Sequence, residues 1–162
     1  MTQVHAAVRV RAPREVVDQL LAKELHRLLG GHGPAVGATR RAHLDVEVGD
    51  GTSVRQEVDV TLGRADRSGV DTTVWPLSWT PVGHHLILPD LAGRLEVRSA
   101  RWDTELLLVG EYTPPLGLLG VLGDRVIHER TALGVSGFLA ELGRALDAHS
   151  GDVARSAHHR VP

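Results

Sequence analysis

Hydrophobic and polar positions in the first thirty residues change from a strand pattern to a helix pattern. The opening segment QVHAAVRVRA alternates, and every second residue is apolar: Val4, Ala6, Val8 and Val10. A period of two residues predicts a β-strand with one buried face. From Val16 to Leu29 the apolar residues instead recur at helical spacing, behind Pro13 and in front of Gly30. This pattern predicts a helix, or two short helices broken near Ala22-Lys23.

The next two segments predict a β-hairpin with a defined register. ATRRAHLDVEV and SVRQEVDVTLG flank the turn sequence Gly49-Asp50-Gly51. If the numbers of facing residues sum to 100, three pairs of complementary charge form on one face: Arg41 with Asp59, His43 with Glu57, and Asp45 with Arg55. The other face then pairs Ala42 with Val58, Leu44 with Gln56, and Val46 with Val54. A slip of one residue would move each side chain to the wrong face, so we expect this register.

The remaining pattern predicts further strands and one long helix. A turn at residues 66–69 leads into VDTTVWPLSW, where Pro76 must lie at an edge, a bulge or a strand end because it has no N–H to donate. A short strand is expected around Leu86–Leu88, and GRLEVRSA and DTELLLVGEY form a second hairpin through Arg101-Trp102, with Arg98 opposite Glu105. From about residue 118 to residue 148 the spacing is helical, with this apolar stripe: Ile127, Thr131, Val135, Phe138, Leu142 and Leu146.

The order of elements, together with the run LPDLAGRLEVR…TELLLVGEYTPPLGLLGVLGDRVIHERTALGVSGFLAELGRAL, resembles the START-like (SRPBCC) superfamily near its polyketide cyclase/dehydrase and lipid-transport branch. The resemblance in topology covers nearly the whole chain, and the local pattern covers roughly residues 75–146. The residues that match this pattern are Trp79, Leu88, Pro89, Gly93, Gly110, Tyr112, Pro114, Pro115, Gly117, Gly120, Asp124 and Arg130.

The resemblance implies an α+β helix-grip fold, in which a curved antiparallel sheet of about seven strands wraps around a long C-terminal helix. We expect a single START-like domain over residues 1–148 and a flexible C-terminal tail over residues 149–162. The resemblance also implies an apolar cavity between the sheet and the helix. Its predicted lining residues are Val58, Val60, Val74, Leu95, Val97, Leu106, Leu108, Thr131, Val135 and Phe138.

Two groups of glycines bear on this cavity. Pro114 and Pro115 end the last strand, and the glycines that follow let the chain turn back across the sheet. This junction is a strand-to-helix connector, and with Pro115, Gly117 and Gly120 it could also form the cavity mouth. Gly134 and Gly137 lie beside the apolar stripe of the last helix and indicate either close packing or space for a ligand.

Composition excludes several classes of function. The formal net charge is -2, and aromatic residues make up only 3% of the chain, so we expect no nucleic-acid partner. The absence of cysteine removes thiolate metal sites and thiol catalysis. His43, Asp45 and Glu57 could be metal ligands, but each already has a partner in the predicted hairpin, so we expect no metal and no cofactor. With no signal-like or membrane-spanning segment, we expect a cytoplasmic protein without stable membrane insertion.

Three functions remain open at this stage. The first is binding or transport of a hydrophobic small molecule, such as a lipid, an isoprenoid or a polyketide. The second is a polyketide cyclase/aromatase or dehydratase acting in the same cavity; no catalytic residues are assigned, because the chain has no nucleophile motif and His128, Glu129 and Arg130 diverge around a helix. His84-His85 near Asp90 could serve as an acid/base pair, although two solvated histidines in a surface loop are the simpler explanation. The third is a regulatory interaction module or homodimer, with outward-facing Leu107 and Val109 as the contact strip.

Overall fold

The computed structural model describes residues 2–30, 39–47, 50–83, 88–114, 120 and 122–158. These residues form six strands, two short helices and one long helix. The elements are β1 (Thr2–Val10), α1 (Arg14–Lys23), α2 (Leu25–Leu28), β2 (Thr39–Glu47), β3 (Ser53–Leu62), β4 (Thr72–Val82), β5 (Leu91–Ala100), β6 (Asp103–Tyr112) and α3 (Asp124–His158).

The six strands form one antiparallel sheet in the order β1-β6-β5-β4-β3-β2. The two edge strands, β1 and β2, both contact α3. Six strands at about 4.8 Å spacing would be about 24 Å wide if flat, and a helix is only about 10–12 Å across. The sheet must therefore curve around α3, which is the predicted helix-grip arrangement.

Two glycines face each other on neighbouring strands in the middle of this sheet. Gly93 of β5 pairs with Gly110 of β6. A Cβ on Gly93 would lie 2.1 Å from the backbone oxygen of Val109, a distance that no side chain tolerates. Glycine at this position is therefore required by the close approach of the two backbones.

The predicted β2–β3 hairpin is confirmed in register and in charge pairing. Arg41 faces Asp59, His43 faces Glu57, and Asp45 faces Arg55. The nearest side-chain N–O distances in these pairs are 2.8, 3.8 and 3.1 Å, respectively. Asp50 and Gly51 have φ values of 50° and 72°, as the central residues of tight hairpin turns do.

Pro76 lies within β4, at the point where the ladder to β3 ends. The last β3 residue in the ladder is Leu62, opposite Leu77, and the next contact is Gly63 N–H donating to the Pro76 carbonyl at 2.7 Å. Since the missing N–H of Pro76 points to this side, it costs no ladder hydrogen bond. Pro76 was predicted at an edge, a bulge or a strand end; it lies inside β4, an interior strand, where the ladder to β3 ends.

The strand count and the limits of the last helix differ from the predictions. The described sheet has six strands rather than about seven; Leu86 and Ile87 of the expected short strand lie outside the described residues, and Leu88 is in a bend.

The last helix begins at Asp124, which supplies the expected negative charge in its first turn. It continues to His158, ten residues past the predicted end, so residues 149–158 are helical rather than an irregular tail. The break between α1 and α2 falls at Glu24, next to the predicted position.

Candidate functional site

The concave face of the sheet and one face of α3 enclose the interior of the domain. All but one of the predicted lining residues are buried there. From the sheet come Val58, Val60, Leu95, Val97, Leu106 and Leu108, and from α3 come Thr131, Val135 and Phe138. The predicted helix stripe is buried throughout, and Leu139 beside it is buried as well.

Val74 was predicted to line the interior and does not. It pairs with Glu96 on the convex face of the sheet, whereas its neighbours Thr73 and Trp75 pair with the inward-facing Val97 and Leu95. The inward-facing residues of β4 are Thr73, Trp75, Leu77 and Trp79, all of them buried. Their alternation in the sequence TVWPLSW was the available signal, and Pro76 interrupts its strand pattern.

Two contacts with α3 bear on whether the predicted cavity has free space. The ring of Phe138 meets that of Trp79 edge to face, with 5.7 Å between centroids. A Cβ on Gly134 would lie 3.1 Å from Leu88, so this glycine allows close packing. Nothing lies within 4 Å of the corresponding position on Gly137 except the backbone oxygen of Asp45, at 4.0 Å. The sequence did not decide whether these two glycines allow close packing or leave space for a ligand. At Gly134 the structure shows close packing.

A pocket of about 280 Å³ opens where α2, β2 and α3 meet. Its inner wall is apolar and includes Leu28, Ala42 and Phe138, while charged residues from β2, β3 and α3 stand around it. Phe138 is therefore both a residue of the interior and a wall of this opening. The pocket therefore combines an apolar wall with charged groups of both signs.

Buried polar groups of the interior are largely satisfied by the protein itself. The Gln56 amide donates to the carbonyls of Glu57 and Val82, at 2.9 and 3.0 Å. The hydroxyl of Thr131 donates to the carbonyl of Ile127 in its own helix, and the indole of Trp79 donates to that of Pro89. Recognition in this interior would therefore rest on shape and apolar contact.

A polar cluster lies where α1 packs under β4. The carboxylate of Asp18, only 8% exposed, accepts hydrogen bonds from the Thr73 hydroxyl at 2.7 Å and the Trp75 indole at 3.1 Å. The guanidinium of Arg14 donates to the same Thr73 hydroxyl at 3.0 Å. Sequence analysis missed this cluster because its α1 members lie more than fifty residues from its β4 members, and no short motif joins them.

A second polar contact lies at the opposite end of the interior, where β6 ends and α3 begins. The buried Tyr112 hydroxyl lies 3.0 Å from Nδ1 of His128, whose side chain is exposed. Burial raises the pKa of Tyr112, the Asp124 charge raises it further, and a hydrogen bond with Thr2 opposes them. The phenol therefore stays protonated and can donate to the imidazole. The sequence predicted that His128 lies on the last helix, but no local pattern indicated that Tyr112 is its partner.

The predicted mouth lies mostly outside the described residues. Pro115 and Gly117 are among those not described, as are His84 and His85. Gly120 is described, and no atom lies within 4 Å of the position its Cβ would occupy. Its role at a mouth stays a prediction.

Across the described ranges, no three histidine or acidic side chains are grouped in a way that could hold a metal ion. Likewise, none of the described helices is long and apolar enough to cross a bilayer. Leu107 and Val109 lie on the convex face and are half-buried. The homodimer and the cytoplasmic location stay predictions.

Comparison with solved structures identifies the fold class. A scan of protein-family models gives no match, and a search of curated proteins gives none either. The structure is similar to the protein TTHA0849 from Thermus thermophilus, with a TM-score of 0.58 and 20% identity over 92% of this chain and 99% of that one. It is also similar to the Zhui aromatase/cyclase from a Streptomyces species, with a TM-score of 0.54 and 16% identity over 96% and 97%.

A third similar structure is the major latex-like protein 151 of Panax ginseng, with a TM-score of 0.53 and 13% identity over 92% of this chain and 97% of that one. These similarities cover nearly the full length of each chain. The protein therefore has the helix-grip fold that the sequence predicted. At these identities the similarity extends to the fold alone.

Proposed function

We propose that this protein binds a hydrophobic small molecule between the concave face of its sheet and α3. The observation that carries the proposal is the composition of that interior. It is lined by Val, Leu and Phe side chains, and the polar groups described among them bond to other groups of the protein. A lipid, an isoprenoid or a polyketide fits such a lining, because none of them needs a charged partner.

Native mass spectrometry of the freshly purified protein tests the proposal directly. We expect a co-purified mass, or a rise in melting temperature with some members of a lipid and polyketide panel, because a ligand that binds only the folded state stabilises it. A clean apo mass together with no thermal shift across the panel would count against the proposal.

A substitution in α3 provides a second test that does not depend on the ligand. Val135→Phe adds volume to the interior beside Thr131 and Phe138. If the interior holds space for a ligand, the variant should lose less than about 1 kcal/mol of unfolding free energy and lose the thermal shift. If the interior is filled, overpacking should cost about 1–3 kcal/mol.

Val10→Phe is the matched control for this substitution. Val10 is fully buried, and a Cβ on Gly143 of α3 would lie 3.9 Å from it, so this site is packed against the helix. We expect Val10→Phe to cost the full overpacking penalty. Equal costs for the two variants would argue that the interior at Val135 has no free space.

The contact between Tyr112 and His128 favours a second candidate function, cyclisation or dehydration of a polyketide. A protonated phenol facing the interior and an imidazole open to solvent could pass a proton between a bound ketone and water. The Zhui protein, which has the same fold, is named an aromatase/cyclase. A linear poly-β-ketone thioester is the probe, with products separated by chromatography and mass spectrometry.

The enzymatic candidate makes a specific prediction for two variants. Tyr112→Phe and His128→Gln should both return the product mixture to that of the uncatalysed reaction, while ligand-induced thermal shifts remain. If neither variant changes the product mixture, the tyrosine–histidine contact has no part in chemistry, and binding alone remains.

A further inference from the structure

A separate pocket lies on the surface between the two short helices and the chain that follows β3. Its volume is about 460 Å³, within the usual range of small-molecule sites. The floor is apolar and belongs to the edge of the core: Leu21, Leu25, Leu62 and Trp75. None of the cavity residues predicted from the sequence lines it.

The charged residues that line this pocket all have the same sign. They are Arg40, Arg64 and Arg67, and none of the described lining residues carries a carboxylate. Asp18 accepts the indole N–H of the lining residue Trp75 at 3.1 Å, and the acidic side chains next to lining residues in the sequence are also engaged. Glu24 pairs with Arg27 at 3.3 Å, and Asp66 accepts the backbone N–H of Ser68 at 2.9 Å. The pocket therefore combines an apolar floor with a positive rim.

Trp75 joins the floor to the rim. The guanidinium carbon of Arg67 lies over its ring, 5.6 Å from the centroid, within range of a cation–π contact. A cation–π contact holds the guanidinium at the ring without using a hydrogen-bond acceptor, and a guanidinium can bind an anion in bidentate fashion. The orientation of the Trp75 ring is fixed by a buried hydrogen bond, because its indole N–H donates to the Asp18 carboxylate.

We propose that this pocket binds an amphiphilic organic anion, a carboxylate or a phosphate monoester attached to an apolar chain. The anionic group lies between Arg64 and Arg67, and the apolar chain lies on Leu21, Leu25 and Leu62. The site is distinct from the interior between the sheet and α3, and the inference does not rest on the proposed function.

The three tryptophans allow the two sites to be observed separately. In a spectrum of the ¹⁵N-labelled indole groups, Trp75 reports the pocket, Trp79 reports the interior next to Phe138, and the 88%-exposed Trp102 reports the surface. Trp102→Phe and NOEs from Trp79 to Phe138 assign the signals. The probes are octanoate, octyl phosphate, octanol and inorganic phosphate.

We expect octanoate or octyl phosphate to shift the Trp75 signal with saturation and to bind at least about tenfold more tightly than octanol or inorganic phosphate. The tighter of the two anions identifies the preferred head group. Octanol binding as tightly as both anions would overturn the inference. So would a shift of Trp79 without Trp75, which would instead support a ligand in the interior.

The double variant Arg64→Gln/Arg67→Gln tests the rim. Both side chains are exposed, so the fold should persist, and affinity for the anionic probes should fall at least about tenfold, to the level of octanol. The control Arg144→Gln removes an exposed charge on α3, away from the residues that line the pocket. Unchanged affinity in the double variant, or an equal loss in the control, would overturn the inference.

Discussion

Asp18 is the clearest case in which one side chain satisfies several buried groups. Its two carboxylate oxygens accept from Thr73 and Trp75, which belong to a strand far away in the sequence. The carboxylate therefore ties α1 to the concave face of β4. It also holds the Trp75 ring, which forms part of the floor of the surface pocket lined by Arg40, Arg64 and Arg67.

Asp18→Ala should lower the unfolding free energy by about 2–4 kcal/mol, because it leaves two buried donors without an acceptor. Asp18→Asn should cost less, since its amide oxygen still accepts one of the two bonds. Urea denaturation measures both effects. Asp152→Ala, on the exposed end of α3, is the control and should change stability by less than about 0.5 kcal/mol. If Asp18→Ala lowers the unfolding free energy as little as the control does, the two hydrogen bonds to Asp18 do not stabilise the fold.

Glu96, on the convex face of the sheet, makes the stability of the fold depend on pH. Burial raises the pKa of its carboxyl group, but hydrogen bonds from Arg94 and Arg98 outweigh burial, and the pKa ends below its usual value. A depressed folded-state pKa means that the ionised group stabilises the fold above the unfolded-state value, which is about 4.3. The contribution is lost as the pH falls below that value and through the folded-state pKa.

Glu96→Gln should therefore be less stable than the original chain at pH 7, by about 1–2 kcal/mol, because the arginines then face a neutral acceptor. The difference should shrink as the pH is lowered through the folded-state pKa of Glu96, because the original carboxyl group then becomes neutral as well. Urea titrations at several pH values measure this. Glu129→Gln, in an exposed pair with Arg125, should show little difference at any pH. If the difference in unfolding free energy between Glu96→Gln and the original chain is the same at every pH, ionisation of Glu96 does not cause it.

At the scale of elements, the β2–β3 hairpin was predictable and the face of β4 was not. The hairpin register follows from the turn at Asp50-Gly51 and from charge pairs close in sequence. In β4, Pro76 obscures the alternation, and Val74 looks like the inward residue because it is apolar. Pairing with β5 decides otherwise, since Thr73 and Trp75 face the buried Val97 and Leu95.

The two glycines of α3 make a prediction at this scale. Gly137→Ala should raise the unfolding free energy by up to about 1 kcal/mol, because alanine favours the helix and its Cβ meets nothing closer than 4.0 Å. Gly134→Ala should gain less or lose stability, since its Cβ would crowd Leu88 at 3.1 Å. Chemical denaturation of the two variants compares them. Equal gains would contradict close packing at Gly134.

At the scale of the whole molecule, the fold is closed by contacts between its ends. β1, at the start of the chain, pairs with β6, and the C-terminal helix covers the sheet against both edge strands. The far end of that helix is anchored by Leu146, which is fully buried, and by Asp147, which accepts the backbone N–H of Arg11 at 2.7 Å. Residues 152–156 beyond them are exposed.

Two truncations separate the anchored part of α3 from its overhang. Deleting residues 152–162 should change the unfolding free energy by less than about 1 kcal/mol, because the described side chains in that segment are exposed. Deleting residues 145–162 should cost at least about 2–5 kcal/mol, since it removes Leu146 from the core. Thermal and urea unfolding measure both. A large loss from the shorter deletion would show that the helix end stabilises the domain, against the predicted division at residue 148.

By itself, the sequence determined the identity and order of most elements, the first hairpin register and the apolar stripe of α3, because hydrophobic period and turn chemistry act over a few residues. The tertiary structure alone decided which face of β4 turns inward, how far α3 extends, and which polar groups meet. Asp18 with Trp75, Tyr112 with His128, and the three arginines of the surface pocket come together only when the sheet curves around the helix. Contacts between distant residues leave no periodic trace in a single chain, so local pattern could not reveal them.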